Sequence, residues 1–232
     1  GRGTTVTFKP DPEMFEELNG YPQYTAQAYP YARGAGIHLG LAAGGYLRGH
    51  QNVYNNFGSI FSGDKFPAQL AGRAVTYPEM RQPWEIYVNA EGARFIREDM
   101  PSVDAREMAL SMQVGRRYWI VFDQYILDSS PPIILNWTTD QVRQAFREGG
   151  PAVFMAESID ALADKAEIDQ AGLRRSVEAY YYGIETGNDF LGRQHLPARI
   201  EAGPFYAIKL QGSATSSAVG LAVNRDLQVI RK

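Results

Sequence analysis

The run YWIVFD, residues 118–123, consists of aromatic and β-branched side chains followed by an aspartate. A short continuous apolar run of this kind predicts a strand that is buried inside a sheet. Upstream, WEIYVNAEGARFI, residues 84–96, predicts a β-hairpin, because two β-rich runs flank a turn at Asn89–Gly92 that ends in glycine. Further strands are predicted at 4–8, 205–210 and 221–223, with a turn at 224–226.

Helical segments surround these strands. Thr138 and Gln141 have the spacing of a capping box, which predicts a helix start at this position. The other predicted helices follow Ser158 and Asp169 and lie within 36–47 and 103–112. In the helix within 36–47, Ile37 and Leu41 are predicted to share one face. Because helices and strands are mixed without a regular βαβ alternation, the sequence predicts an α+β fold.

The composition excludes several classes of function. The 232 residues carry a net charge of -3, so the basic excess of a nucleic-acid-binding protein is missing. Without cysteine the chain has no disulfides, thiol catalysis or thiolate metal sites, and the three scattered histidines predict no metal site. No apolar run reaches the ~18 residues that a spanning helix needs, and no signal peptide is visible, so we expect a cytoplasmic protein. The length allows one large domain or two smaller ones.

A run of small polar residues, GSATSSAVG at 212–220, lies between the last two predicted strands. It is rich in hydroxyl groups and has no ionisable side chain. One interpretation is a tight crossing, where glycine and serine allow close backbone approach. The other is a polar surface that faces a ligand. Both interpretations can hold together.

Four stretches, taken in order, resemble the family of fumarate reductases, succinate dehydrogenase flavoproteins and 3-ketosteroid dehydrogenases. They are ARGAGIHLGLAAGGYL at 32–47, IYVNAEGARFIRED at 86–99, IDQAGLRRSVEAYYYGIETGNDFLGR at 168–193 and PFYAIKLQGSATSSAVGLAV at 204–223. The first is similar to a helix near the flavin, and the second to the family's hairpin. The third is similar to the end of a capping domain, and the fourth to the strand that returns to the flavin domain.

The resemblance implies an internal fragment of an FAD-dependent enzyme. It implies a partial FAD-binding-domain segment over 1–74, a capping domain over 75–202 and a return to the FAD-binding domain over 203–232. The G-x-G-x-x-G turn that receives the FAD pyrophosphate in this family is not found in the chain. We therefore expect FAD in the longer parent protein and none bound to this fragment alone.

The resemblance also implies site residues. Fumarate reductases have a histidine pair where this chain has Thr215 and Ser216, and a further histidine near Asn56. Their catalytic arginine falls near Ser102, and Arg106 is close to that position but out of register. The roles expected from the resemblance are catalysis by Ser216 and Tyr206, flavin binding by Ser217 and Gly220, and substrate binding by Asn56 and Arg106.

Because the histidines and the arginine of fumarate reductases are replaced by uncharged residues here, we expect a small-molecule substrate other than fumarate. That substrate would be oxidised or reduced at a C–C or C=C bond. Simpler interpretations remain open: Arg94 and Glu98 form a surface ion pair, and Arg106 is solvated. A second function class also remains open, a cofactor-free interaction domain on the same scaffold. Strands that have lost their partners are expected to pair with each other or with another copy of the chain, which would give a homo-oligomer.

Overall fold

The computed structural model describes residues 34–49, 55–63, 68–213 and 219–231. The chain divides into two compact units. The first unit comprises 1–56, 65–68 and 213–232, and the second comprises 57–64 and 69–212. The predicted capping segment over 75–202 falls within the second unit, and its capping role stays a prediction.

Eight short or medium strands are found among the described residues. They are β1 (Leu47–Arg48), β2 (Ser59–Phe61), β3 (Leu70–Arg73), β4 (Ile86–Val88), β5 (Arg117–Asp123), β6 (Val153–Ala156), β7 (Phe205–Gln211) and β8 (Gly220–Leu221). Six α-helices accompany them: α1 (Ala35–Ala42), α2 (Val103–Ser111), α3 (Gln124–Ser129), α4 (Thr139–Glu148), α5 (Ile159–Ala166) and α6 (Gln170–Thr186). This mixed content confirms the α+β class. Among the helices of the described residues, none is long and apolar enough to cross a membrane.

The second unit is built on a four-stranded antiparallel sheet in the order β4-β5-β7-β6. β5 pairs with β7 over seven residues, with Tyr118 opposite Leu210 and Phe122 opposite Tyr206. All of β5 after Arg117 is buried, so the strand predicted from YWIVFD is confirmed. β2 and β3 form a separate antiparallel pair in the same unit.

The predicted helix starts are confirmed by the caps. Thr138 and Gln141 form the capping box of α4 with both reciprocal hydrogen bonds. Ser158 and Asp169 accept hydrogen bonds from the first turns of α5 and α6. Ser102 caps α2 in the same way, accepting from the Ala105 amide at 3.2 Å.

The predicted 84–96 hairpin is only partly present. Its turn is confirmed by a hydrogen bond from the Asn89 amide to the Ala93 carbonyl at 3.0 Å, and Gly92 takes the left-handed conformation. The predicted second strand is wrong, because only a single bridge joins Val88 to Arg94. The Arg94 amide instead donates to Ser176 of α6, so this segment packs on the helix rather than extending the sheet.

In the first unit, α1 and the β1–β8 pair are the described elements. Ile37 is buried as predicted, but Leu41 is exposed, which corrects the predicted face. Gly40 takes the second buried position, because a side chain there would overlap with Leu221 of β8. The turn predicted at 224–226 is confirmed by the bridge between Val223 and Val229. The strand predicted at 4–8 lies outside the described residues.

The close contact of α6 with the turn after β4, at 89–92, gives a stability prediction. A Cβ at Gly172 would overlap with the Glu91 carbonyl, whereas one at Gly36 in α1 would meet open space. We expect Gly172→Ala to lower the free energy of unfolding by about 2–4 kcal/mol, because backbone must shift. Gly36→Ala, the matched control, should leave it unchanged or raise it slightly. Urea denaturation of both variants measures this, and equal effects would contradict the contact.

Candidate functional site

Arg106 is fully buried on α2, with 1% of its surface exposed. Its Nη1 donates to the Thr76 carbonyl, and its guanidinium lies 4.4 Å from the centroid of the Tyr77 ring. Its Nε and Nη2 have no hydrogen-bond partner among the described residues. The interpretation of Arg106 as a solvated residue is therefore wrong, because Arg106 and Leu110 both point inward, four residues apart on the same helix.

Other polar groups around Arg106 also lack partners. The Thr76 hydroxyl and the hydroxyl proton of Tyr118 have no acceptor among the described residues, and both side chains are buried. A Cβ built on Gly58 would lie 2.9 Å from the Ala74 carbonyl oxygen and 3.1 Å from the Thr76 Oγ1, so the backbone at Gly58 packs closely against this hydroxyl. Burial raises the pKa of Tyr118 well above its ordinary value, against a smaller opposing effect of Arg106. Tyr118 is thus a neutral donor at physiological pH.

The other buried arginines of the described segments all have carboxylate partners. Arg81 lies 2.9 Å from Glu85, and the Arg193 Nη1 lies 3.2 Å from Glu98. Arg94 donates to both oxygens of Glu98 at 2.7 Å and to Asp189 at 2.5 Å. Arg94 and Glu98 are fully buried. Their interpretation as a surface ion pair is wrong, because the chain brings Asp189 to the same place from 95 residues away.

This contrast predicts opposite stability effects for two substitutions of equal charge change. Arg94→Met leaves Glu98 and Asp189 buried without their cation, which should lower the free energy of unfolding by about 3–5 kcal/mol. Arg106→Met orphans no carboxylate among the described residues and removes the desolvation cost of a buried cation, so stability should stay the same or rise. Chemical denaturation at neutral pH compares the two. A large loss in Arg106→Met would mean that its guanidinium has an unrecognised internal partner.

In the first unit, the structure places Asn56 beside the small polar run. The Asn56 amide donates to the Ser213 carbonyl at 2.7 Å. Gly220 at the other end of the run is buried in β8, opposite Arg48 of β1. Ser216 and Ser217 lie outside the described residues. The roles of these four residues stay predictions.

Tyr206 lies in the second unit, in an aromatic cluster of the sheet. Its ring stacks on Phe122 with the centroids 5.4 Å apart and contacts Phe146 edge-on, and its hydroxyl donates to Gln124 at 2.6 Å. Burial raises its pKa. Because Tyr206 is opposite Phe122 in the register, it lies about four residues, roughly 13 Å, along the sheet from Tyr118. The structure therefore does not bring Tyr206 together with Arg106, and its catalytic role stays a prediction.

A polar groove of about 500 Å³ lies elsewhere on the second unit, lined in part by Arg97, Asp99 and His195. Asp99 accepts from the amides of Gln194 and His195 at 2.7 and 3.1 Å and from Arg97 at 2.6 Å. Burial alone would raise the pKa of Asp99, but these donors outweigh it and lower the pKa below its ordinary value. The carboxylate therefore anchors the segment at 194–195.

A pH dependence follows from Asp99. Its lowered pKa stabilises the fold above the ordinary aspartate range, and this contribution is lost as the pH falls through the lower folded-state value. Asp99→Asn should therefore reduce the free energy of unfolding at neutral pH, and the difference from the wild type should shrink below about pH 4. Asp160→Asn, which removes a half-exposed partner of Arg174, is the control with a small effect. A difference for Asp99→Asn that does not depend on pH would contradict the anchor.

An apolar cavity of about 250 Å³ also lies in this unit. It is lined mainly by β2, β3 and the segments around α4, including Ile60, Gly72, Ile134 and Trp137. Its only charged lining residue is Glu148. Among the described residues, no group of histidine, aspartate and glutamate side chains is arranged to hold a metal ion.

Comparison with known proteins identifies the family. The model of the FAD binding domain matches residues 13–232. This chain belongs to the FAD-binding domain family. The resemblance to flavoproteins of the fumarate reductase and 3-ketosteroid dehydrogenase type is thereby confirmed, together with FAD as the cofactor of the family.

Individual relatives are distant in sequence. A probable fumarate reductase of Shewanella frigidimarina is 24% identical over 146 residues, which are 62% of this chain and 23% of that protein. A 3-ketosteroid Δ1-dehydrogenase of Sterolibacterium denitrificans matches all of this chain and 45% of its own, with TM-score 0.73 and 19% identity. The open form of a flavocytochrome c3 fumarate reductase matches 99% of this chain and 37% of its own, with TM-score 0.60 and 21% identity. These likenesses show a shared fold, and this chain spans less than half of each relative.

Sequence reasoning missed Thr76 and Tyr118 as parts of the polar cluster. Tyr118 was assigned only to a buried strand, and nothing in its local pattern separates a packed tyrosine from a functional one. The burial of Arg106, which was interpreted as solvated, could have been predicted from its spacing to Leu110, which puts both on the buried face of α2. The position near Ser102, where the family's arginine falls, holds the cap of the same helix.

Proposed function

We propose that the chain is part of an FAD-dependent oxidoreductase that acts on a C–C or C=C bond of a substrate other than fumarate. Membership of the FAD-binding family supports the cofactor and the class of reaction. The departure from fumarate is supported by the residues that stand at the family's cationic positions. Thr215, Ser216 and Asn56 can donate hydrogen bonds but carry no charge.

The observation that carries this proposal is that Arg106 is buried without a carboxylate partner among the described residues. Holding two carboxylates needs more than one cation in the site. In the described part of the second unit, only Arg106 is a buried arginine without a carboxylate partner. Ser102, near the family's arginine position, uses its hydroxyl to cap α2. A dicarboxylate is therefore a poor fit for the described part of this unit.

The residues of the first unit fit a flavin. Helix α1 begins at Gly34 in the left-handed conformation, with no side chain capping its first amides. Free amides at a helix start bind polar or anionic groups, and a Cβ at Gly36 would meet open space. Gly220, without a side chain, allows a ring to approach the backbone of β8. When bound, the flavin supplies hydride transfer.

The chain's own residues would position the substrate. Ser216 donates a hydrogen bond to the substrate or to a flavin oxygen, and Ser217 contacts the cofactor. Asn56, held next to Ser213 by its backbone, donates from its side-chain amide. Arg106 binds an oxygen of the substrate. The hydroxyl of Tyr206 stays a second candidate donor, with Gln124 as its present partner.

The test uses the longer, flavin-loaded parent protein. Ser216→Ala should keep the flavin and lower turnover by about 10²–10³-fold, because a lost transition-state donor costs ~3 kcal/mol or more. Gly220→Val should crowd the ring and reduce the flavin absorbance per chain. Ser129→Ala and Gly63→Val are matched controls, since Ser129 is exposed and a Cβ at Gly63 meets open space. If both site variants keep flavin content and turnover, these assignments fail.

The alternative function is a cofactor-free interaction domain, with assembly into a homo-oligomer through strand edges. Its support is that the chain has no G-x-G-x-x-G turn for the FAD pyrophosphate. The discriminating measurement is the flavin absorbance of the parent protein. One equivalent of flavin in the parent favours the enzyme, and none favours the interaction domain. For this chain alone, we expect less than one equivalent of flavin.

A further inference from the structure

We propose that Arg106 binds a carboxylate group side-on, through its Nε–H and Nη2–H, within a buried polar site that also includes Thr76 and Tyr118. The ligand class is an organic monocarboxylate. This deepens the proposed function and rests on it only in taking that carboxylate to be part of the substrate.

The open edge of Arg106 has the right shape for a carboxylate. Tyr77 covers a face of the guanidinium, and Nη1 is occupied by the Thr76 carbonyl. The two remaining donor atoms, Nε and Nη2, form the edge that binds both oxygens of a carboxylate. Arg94 in the same chain uses these same two atoms to bind Oε1 and Oε2 of Glu98, each at 2.7 Å.

The charge of Arg106 distinguishes a carboxylate from a neutral partner. A buried cation is costly unless an anion is close. Arg81, Arg94 and Arg193 each have that anion within the chain. Arg106 forms no ion pair within the described residues. In this proposal a ligand supplies the anion. One cation matches one negative charge, which favours a monocarboxylate over a dicarboxylate.

The neighbouring groups support an oxygen-rich ligand. The Thr76 hydroxyl and the Tyr118 hydroxyl proton are both buried, and neither has an acceptor in the part of the chain that the structure describes. Water alone would satisfy these groups but would leave the charge of Arg106 uncompensated. Phe57 stacks on Tyr118 at 4.4 Å between centroids, so the surroundings of these donors are apolar. An apolar body that carries one carboxylate fits this combination.

The experiment uses the 232-residue chain and two probes of equal shape, crotonate and its neutral amide crotonamide. Isothermal titration measures binding, with sodium chloride at the same ionic strength as a salt control. The Arg106 Nε–H signal, identified by its loss in Arg106→Lys, is followed by ¹⁵N NMR. The variants are Arg106→Met, Arg106→Lys and Tyr118→Phe. Arg174→Met is the charge-matched control, because Arg174 is half exposed.

We expect crotonate, but not crotonamide, to bind and to shift the Nε–H signal. Arg106→Met should weaken crotonate binding by about tenfold to a hundredfold, which is the range for hydrogen bonds to a charged group. Arg106→Lys should lose most of the affinity, because an ammonium cannot bind side-on with two fixed donors. Tyr118→Phe should lose less of the crotonate affinity, and Arg174→Met should lose none of it. Circular dichroism checks that each variant is folded.

The inference is overturned if crotonamide binds as well as crotonate, or if Arg106→Met binds crotonate like the wild type. An absence of crotonate binding to the folded chain also overturns it. The proposed function fails separately, when the parent protein holds no flavin. Flavin-loaded, active parent protein together with a chain that does not bind crotonate would remove only the carboxylate site.

Discussion

The ion cluster around Arg94 is the interaction on which the second unit depends. Its guanidinium binds Glu98, which is close in sequence, and Asp189, which is 95 residues away. The same Asp189 caps its own loop by accepting from the amides of Leu191 and Arg193. Tyr180 of α6 lies against both Arg94 and Arg193, with its ring 5.2 and 4.9 Å away. The cluster therefore fixes the segment after β4, the helix α6 and the long loop that follows it in one arrangement.

Arg193 extends this arrangement to the sheet. Its donors reach the carbonyls of Pro83, Glu85 and His195, so a residue of the long loop holds the backbone at the start of β4. Glu85 in turn binds Arg81 and the amide of Trp84. The buried charges in this part of the unit thus alternate in sign, and each is compensated by a neighbour. Arg106 differs because no carboxylate among the described residues pairs with it. That difference is the basis for proposing that it binds a ligand.

How much of this could be predicted from the sequence depends on how local the cause is. The starts of α4, α5 and α6 were predictable, because a capping side chain and the amide that donates to it are three residues apart. The buried strand β5 was predictable from its own composition. The burial of Arg94 was not, since its second carboxylate comes from a loop whose sequence is polar and whose position depends on the whole unit. The prediction of a second strand in the 84–96 hairpin was wrong for the same reason. The Arg94 amide, which a strand would use for pairing, donates to Ser176 of α6 instead.

The candidate site follows the same rule. Arg106 was found from a resemblance, and its helical spacing to Leu110 agrees with its burial. Thr76 and Tyr118 come from segments far apart in the chain. Their proposed role in ligand binding depends on their proximity to Arg106 in the folded unit, which the sequence does not reveal.

The place of β7 in the sheet has a consequence for how the chain can be made and cut. β7 lies between β5 and β6, and β6 has no other partner strand in this sheet. During synthesis, β5 and β6 therefore cannot pair with β7, the strand between them, until residues 205–211 have left the ribosome. A product that stops at 202, the boundary predicted for the capping segment, would contain two strand edges with the middle strand missing. The sheet of the second unit is therefore completed by β7, the strand of this sheet that is synthesised last.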